Sequence, residues 1–439
     1  MGAMRARRPP GRHRRADAAA EGQRATYREV IAIREFRALW YGQGLSLLGD
    51  QLAQVALAVL VYDRTRSALA TAAVYALTYL PSIVGGPLLA GLADRFARRG
   101  VMLACDLLRF VLVAAMALPV TPFWALCVLV FLVVLLSAPF SAARAALLPE
   151  VLDGDAYVIG SALQNMTNQA GQMLGFAAGG AVIAAMGPYR ALAVDAATFL
   201  ASALILVSGV RRRPAPCPDD GSRPSMWTMA RAGARLVFGS RKLRTLVLFA
   251  WLCGFYVLPE GIAAPYAARL AIGADAGALP VPVITGLLMA AMPAGTVIGA
   301  FLFSKFVAPA RRLRFMGWLA MLSCAPLIVT ALRPPLAVVL AAWVLSGVGG
   351  AYQLAANAAF VQAVPAERRA QAFGIVQSGL MAAQGIGILV GGFAAERLGP
   401  EPVVALSGIA GVVCAAVLAM LWTESRGDKT SRVRAEAAA

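Results

Sequence analysis

Apolar residues in this chain come in blocks of about 20, separated by short stretches of Arg, Asp, Pro and Gly. About 20 residues of α-helix cross a hydrocarbon core of about 30 Å. The blocks run approximately Ala38–Val61, Ala68–Ala93, Val101–Pro119, Phe123–Leu147, Val158–Met186 and Arg190–Val210. They continue as Thr245–Leu270, Val281–Phe306, Leu313–Leu332, Leu336–Val364, Ala372–Glu396 and Pro402–Trp422. This pattern predicts an all-α membrane protein with 12 transmembrane helices. The longest polar interruption, residues 211–244, contains RRRPAPCPDDGSRP and reads as a linker. It divides the helices into a six-helix half at 38–210 and another at 245–422, with tails at 1–37 and 423–439.

An internal repeat fits two halves. Gln172-Met-Leu-Gly175-Phe-Ala-Ala-Gly179-Gly180 and Gln384-Gly-Ile-Gly387-Ile-Leu-Val-Gly391-Gly392 both read Q-x-x-G-x-x-x-G-G, offset by 384 − 172 = 212 residues. Each copy lies in the fifth span of its half. Glycines four apart let membrane helices approach closely, and duplication is a recurring transporter theme.

Composition agrees with the pattern: 60% of residues are hydrophobic and 14% charged. The net charge of +18 would suggest nucleic acid in a soluble protein. Its placement explains it otherwise. Six of the 40 Lys and Arg (Arg64, Arg66, Arg190, Arg269, Arg333 and Arg397) fall on one side, leaving 34 on the side of both tails. Positive-inside bias then makes both tails cytoplasmic, in a bacterial-type inner membrane. No nucleic-acid partner is implied. The Arg-rich stretch 1–37 lacks an apolar core, so it is not a signal peptide, and it reads as disordered to Arg24 at least. Trp40, Trp124, Trp251, Trp343 and Trp422 fall near predicted span ends, where aromatic belts form. Of the six cysteines, five sit in apolar blocks and read as small core residues. His13 is the only histidine, so no metal or other cofactor is expected. There is no Walker loop, no H-E-x-x-H helix and no nucleophile elbow. The sequence therefore points away from an enzyme and from direct use of ATP.

Between spans two and three lies Gly91-Leu-Ala-Asp94-Arg95-Phe-Ala-Arg98-Arg99, which resembles the G-x-L-a-D-r-x-G-R-[RK] loop of the major facilitator superfamily; the family's second glycine is Ala97 here. The Ser141-Ala-Ala-Arg144-Ala-Ala-Leu-Leu-Pro149-Glu150 segment and Ser46-Leu-Leu-Gly49-Asp50 add to the resemblance, which extends from Phe36 to Trp422. Together they look like the branch containing bacterial siderophore exporters and macrolide efflux proteins. Phe176 replaces the proline that drug antiporters of the family often carry in span five. The resemblance implies a two-domain transporter, normally a monomer, with Gly91, Asp94, Arg95, Arg98, Arg99 and Arg144 as a conformational latch.

Ionisable residues within spans are costly in lipid and hence functional candidates. Asp50 lies near the middle of span one, on a polar face with Gln43, Ser46 and Gln54, spaced 3, 4 and 4. It reads either as a proton-coupling group or as a carboxyl hydrogen-bonded inside the bundle. Glu260 follows Pro259 in span seven, where a freed backbone carbonyl allows a kink; the same two readings apply. Spans one and seven are equivalent in the two halves, so both acids are expected to face one central cavity. Asp106 and Arg109, three apart, read as a structural pair, and Asp195 as reaching the interface. Asn165, Asn168 and Gln172 share a face of span five, Gln353 and Asn357 one of span ten, and Gln377 and Gln384 one of span eleven. Each set is interhelical glue or part of a substrate cavity walled by Tyr75, Tyr79, Phe255 and Tyr256. The expected function is export of a small amphipathic organic molecule in exchange for protons. A lipid translocator, an uptake carrier and a non-transporting sensor or partner protein remain open.

Overall fold

In the computed structural model, residues 26–81, 83, 96–214, 226–272, 279–365 and 368–436 are described. Their helices are α1 (Tyr27–Ala32), α2 (Arg34–Thr65), α3 (Ala68–Ala76), α4 (Arg98–Met116), α5 (Phe123–Leu135), α6 (Ser137–Val151), α7 (Gly154–Met186) and α8 (Pro188–Gly209). Then come α9 (Met226–Gly239), α10 (Arg241–Trp251), α11 (Cys253–Gly261), α12 (Ala263–Ile272), α13 (Val281–Phe306) and α14 (Pro309–Leu322). A 3-10 turn at Ala325–Leu332 precedes α15 (Leu336–Gly349), α16 (Tyr352–Ala363), α17 (Arg369–Leu398) and α18 (Pro400–Glu436).

Nine helical segments among the described residues are long and apolar enough to cross a membrane. Two other long helices of the bundle fall short on composition for physical reasons. The α7 helix runs about 50 Å at 1.5 Å per residue but is studded with Gln164, Asn165, Asn168, Gln169 and Gln172. The α4 helix carries Arg98, Arg99, Asp106 and Arg109. The second predicted span begins as α3 and runs out of the described residues.

Several expected continuous spans are broken. The Thr245–Leu270 block is three helices, interrupted at Leu252 and at Ile262, the latter three residues after Pro259. The Leu336–Val364 block divides at Gly350. The linker is not all loop, since α9 occupies much of it and α10 begins four residues before Thr245. Helix also extends into both expected tails, through α1 and through α18. The Trp343 side chain is fully buried against Tyr266, with ring centroids 6.2 Å apart, so it is core and not belt. A large ring filling space inside the half contributes more than one at the interface.

Hydrogen bonds identify the two ends of the first half. At one end Arg34 donates to Ser208 O at 3.0 Å, Glu35 binds Arg211 and Arg213, and Arg98 pairs with Glu150. At the other, Arg64 donates to Thr121 O and Pro119 O, both at 2.7 Å, and to the Tyr189 hydroxyl. We call these the terminal end and the far end.

The repeated glycine motif explains how the halves meet. A Cβ on Gly175 would strike Gln51 of α2, and one on Gly391 would strike Leu258 of α11, so these glycines seat each fifth span on the first span of its own half. The final glycine of each copy faces the other half instead. A Cβ on Gly180 would lie 2.5 Å from Pro282 O of α13, and Gly392 abuts Ala72 of α3. Both crossings lie toward the far end, where Glu396 also accepts hydrogen bonds from the Ser67 hydroxyl at 3.0 Å and Leu69 N–H at 3.1 Å. Toward the terminal end, Asn165, Gln169, Asn357 and Gln377 remain exposed. The halves are thus closed at the far end, with amide-bearing walls toward the terminal end.

Candidate functional site

A cavity of ≈ 410 Å³ lies between the halves. Its walls come from the turn after α3 (Tyr79), α7 (Gln169, Gln172), α11 (Cys253, Tyr256, Glu260), α13 (Met292, Thr296), α16 (Gln353) and α17 (Gln384). Glu260 is 5% exposed and accepts a hydrogen bond from the Tyr75 hydroxyl of the opposite half at 2.9 Å. The break after Gly261 ends the helix just beyond this carboxylate. Gln353 donates to the Tyr256 hydroxyl, fixing both side chains on the wall, while the Gln384 Oε1 is buried without a hydrogen-bond partner. No basic side chain lines this space among the described residues. It therefore offers one carboxylate, several amides and aromatic faces, a surface suited to an amphipathic molecule.

Below it, toward the terminal end, an adjoining cavity of ≈ 330 Å³ is lined by Asn357 and Gln377 with Phe360 and Phe373, and shares Gln353 and Leu354 with the first. Gln172, Gln353, Asn357, Gln377 and Gln384 are thereby brought onto one continuous path. Asn165 is exposed, whereas Asn168 accepts from the Gln43 amide at 2.8 Å and acts as glue between α2 and α7. Ser46 is buried and its hydroxyl has no partner. Of the expected aromatic walls, Tyr79 and Tyr256 line the cavity, Tyr75 holds Glu260, and Phe255 faces elsewhere.

Asp50 is not in this space, which corrects the expectation of one shared cavity. It sits near the middle of α2, about 24 Å from Arg34 at 1.5 Å per residue. It lines a separate cavity of ≈ 240 Å³ inside the first half, with Gln51, Gln54, Thr78, Ser137 and Asp195. Asp195 is 1% exposed and does not reach the interface. Asp106 and Arg109 are not paired with one another. The Asp106 carboxylate accepts from the Ser202 hydroxyl at 2.7 Å, and the Arg109 guanidinium lies over Phe140 and Phe199, 5.3 and 5.5 Å from their centroids. Aromatic faces satisfy a guanidinium in a dry interior. Sequence reasoning placed Asp195 at the interface and not at a site. Its spacing with Thr198 and Ser202, three and four residues, marks a polar face on α8 that was available as a signal.

The sequence matches the Major Facilitator Superfamily over residues 39–333 and again over 261–438. The chain belongs to the Major Facilitator Superfamily. Solved structures agree on the fold. A nucleoside transporter, NupG, aligns with a TM-score of 0.69 at 14% identity, over 88% of this chain and 99% of its own. A POT family transporter in complex with 5-aminolevulinic acid gives 0.71 at 11%, covering 91% and 98%. A bacterial homolog of the human lysosomal transporter Spinster, in an inward-facing and occupied conformation, gives 0.66 at 16%, covering 89% and 96%. No curated protein matches the chain.

Within this superfamily member, the loop between spans two and three is described only in part. Gly91, Asp94 and Arg95 lie outside the described residues. Arg98 pairs with Glu150 and donates to Ala146 O at 3.0 Å, while Arg99 donates to Val207 O at 2.6 Å, capping the terminal end of α8. The Arg144 Nε is buried without a hydrogen-bond partner among the described residues.

Proposed function

We propose that the chain is a secondary active transporter that exports small amphipathic organic molecules of drug, antibiotic or siderophore type in exchange for protons. The observation that carries this reading is the cavity between the halves, where Glu260, four glutamines and two tyrosines face one space of ≈ 410 Å³. Charge, amides and aromatic walls together suit a substrate that is partly polar and partly apolar. The closed far end and the exposed amides toward the terminal end match one state of an alternating-access cycle. Residues 38–210 and 245–422 would rock against each other about the far-end glycine crossings, joined by 211–244. Gly91, Asp94, Arg95, Arg98, Arg99 and Arg144 would form the latch at the terminal end, with Arg144 meeting Asp94. Asp50 and Glu260 would take up and release protons, and the protein would act as a monomer with both tails cytoplasmic.

One observation favours a substrate that dissolves in the bilayer, including a lipid. An apolar groove of ≈ 460 Å³ runs along α11, α17 and α18, with exposed Ile386, Val390 and Leu406 on its rim. Export assays in everted membrane vesicles, with antibiotics, dyes and siderophores, test the main reading. Accumulation that collapses on adding a protonophore, and that fails in Asp50→Asn while membrane insertion is preserved, is expected. Gradient-independent behaviour of every compound would overturn export, and normal export by Asp50→Asn would overturn its coupling role.

A further inference from the structure

The cavity that holds Asp50 is chemically unlike the one between the halves, and its position suggests a separate task. It is enclosed by the first half alone: α2 contributes Asp50, Gln51 and Gln54, α8 contributes Asp195, and Thr78 and Ser137 add hydroxyls. The remaining wall is aliphatic, including Val113, Met116 and Val130. No basic side chain lines it among the described residues.

Two further observations make it more than a cluster of acids. Gln51 is 6% exposed, lines the cavity, and its Oε1 has no hydrogen-bond partner. A buried, unpaired amide oxygen is costly unless something fills the space in front of it. Second, the backbone is shaped to bring the carboxylates together. The position a Cβ would take at Gly49 is occupied by Asp195 Oδ1 and Thr198 Oγ1, so Asp195 reaches the backbone of α2 beside Asp50 only because residue 49 has no side chain.

Among the described residues, the charged groups at or beside the cavity are Asp50 on α2, Asp195 on α8, and Asp106 and Arg109 on α4; α5 adds only apolar side chains to the wall, and α6 and the turn after α3 add the Ser137 and Thr78 hydroxyls. Asp106 is held by Ser202 and Arg109 by two aromatic rings, and neither lines the cavity. Three carboxylates against one guanidinium leave the region short of positive charge. Two carboxylates in one low-dielectric space cannot both stay ionised without a counter-ion.

We infer that this cavity is a binding site for a monovalent cation, a proton or Na⁺, held between Asp50 and Asp195 with the Gln51 carbonyl oxygen as an additional ligand, and that it is spatially separate from the substrate cavity. The inference rests on the exporter reading only in making this the coupling ion; the site itself is independent of it.

The test uses the purified full-length protein in detergent. Melting temperature is measured in NaCl against choline chloride at fixed pH, and then across pH 6 to 8 without Na⁺. A Na⁺-specific rise identifies the ion as Na⁺. A response to pH with none to NaCl identifies the proton. Asp195→Asn and, for a variant that retains both carboxylates, Gln51→Leu are expected to lose or weaken the wild-type response. Asp63→Asn, an exposed carboxylate on the same helix paired with Arg66 at 3.9 Å, is expected to retain it. Wild-type protein that responds to neither cation, or Asp195→Asn and Gln51→Leu that respond as fully as wild type, would overturn the inference. A cation response with no gradient-driven transport would sink the exporter reading alone. Gradient-driven transport unaffected by Asp195→Asn would sink the site's role in coupling alone.

Discussion

The contact made by Glu396 gives a quantitative test of how the far end is closed. Glu396 stands near the end of α17 and its Oε2 accepts from both the Ser67 hydroxyl and the Leu69 N–H of the other half. Ser67 is the N-cap of α3, its own oxygen accepting from Ala70 N–H at 3.1 Å. A carboxylate from one half therefore completes the N-terminal cap of a helix in the other. Hydrogen bonds to a charged group contribute about 1.5–3 kcal/mol when buried, and exposed charge contacts about 0.2–1 kcal/mol. Glu396 is exposed, so the two bonds and the helix dipole together amount to about 1–2 kcal/mol. That corresponds to a factor of roughly 5–30 in a two-state population. Spin labels at Asp63→Cys and Leu398→Cys, with native cysteines replaced, report the far-end distance by double electron–electron resonance. Glu396→Ala should raise the long-distance population by about that factor, and Glu396→Gln by less, because its amide oxygen still accepts. An unchanged distance distribution in Glu396→Ala would refute the idea that this cap holds the far end shut.

Three further outcomes follow from contacts within the halves. Arg64→Ala removes donors to Pro119 O, Thr121 O and the Tyr189 hydroxyl. It should cost about 1–3 kcal/mol and speed amide exchange across residues 117–121, with wild-type exchange there counting against it. Gly49→Ala should lower the melting temperature by overpacking worth about 1–3 kcal/mol, and the double variant with Asp195→Ala should recover part of the loss; simple additivity would mean the two positions do not touch. Trp343→Ala empties the site of the largest fully buried side chain among the described residues and should cost about 3–5 kcal/mol, with Trp343→Phe milder, both read as loss of folded protein on heating.

Much of the architecture was legible because lipid imposes a length and a polarity on each span. The Val281–Phe306 block coincides with α13 end for end, and the repeated glycine motif proved to sit at equivalent crossings. Breaks within spans were less legible. Leu252 interrupts a helix in an apolar stretch where no change of pattern marks it, whereas Gly347, Gly349 and Gly350 were a signal for the second break. Part of the placement was readable too: Glu260, and Gln172, Gln353 and Gln384, which read as interhelical glue or cavity lining, are found around one cavity. The partition of Asp50 into a second cavity was not readable, because the polar face of one helix does not say which neighbouring helix it meets. The same limit applies to Asp106 and Arg109. Three-residue spacing places them on one face, but Phe140, Phe199 and Ser202, from elsewhere in the chain, offered each a better partner.

Two separate compartments raise the question of how one would inform the other, and the packing of α7 bears on it. Gln51 lines the Asp50 cavity and also abuts Gly175, where a Cβ would meet its side chain. Gly180 lies five residues farther along the same helix, about 7.5 Å at 1.5 Å per residue, against the backbone of α13 in the other half. The α2 helix meets α7 again at Gly179, which faces Leu52. Under the cation-site proposal, filling the cavity gives Gln51 a partner it otherwise lacks, and Gln51 cannot move without moving against α7. The glycine crossings transmit such a shift as backbone displacement, since there are no side chains to absorb it. Gly180→Ala, whose added Cβ meets the backbone of α13 and not Gln51, then separates the two functions. It should leave the cation response of the Asp50 cavity in place while altering the far-end distance distribution. Loss of the cation response with an unchanged far end would show that α7 supports the cavity but does not connect it to the seam between the halves.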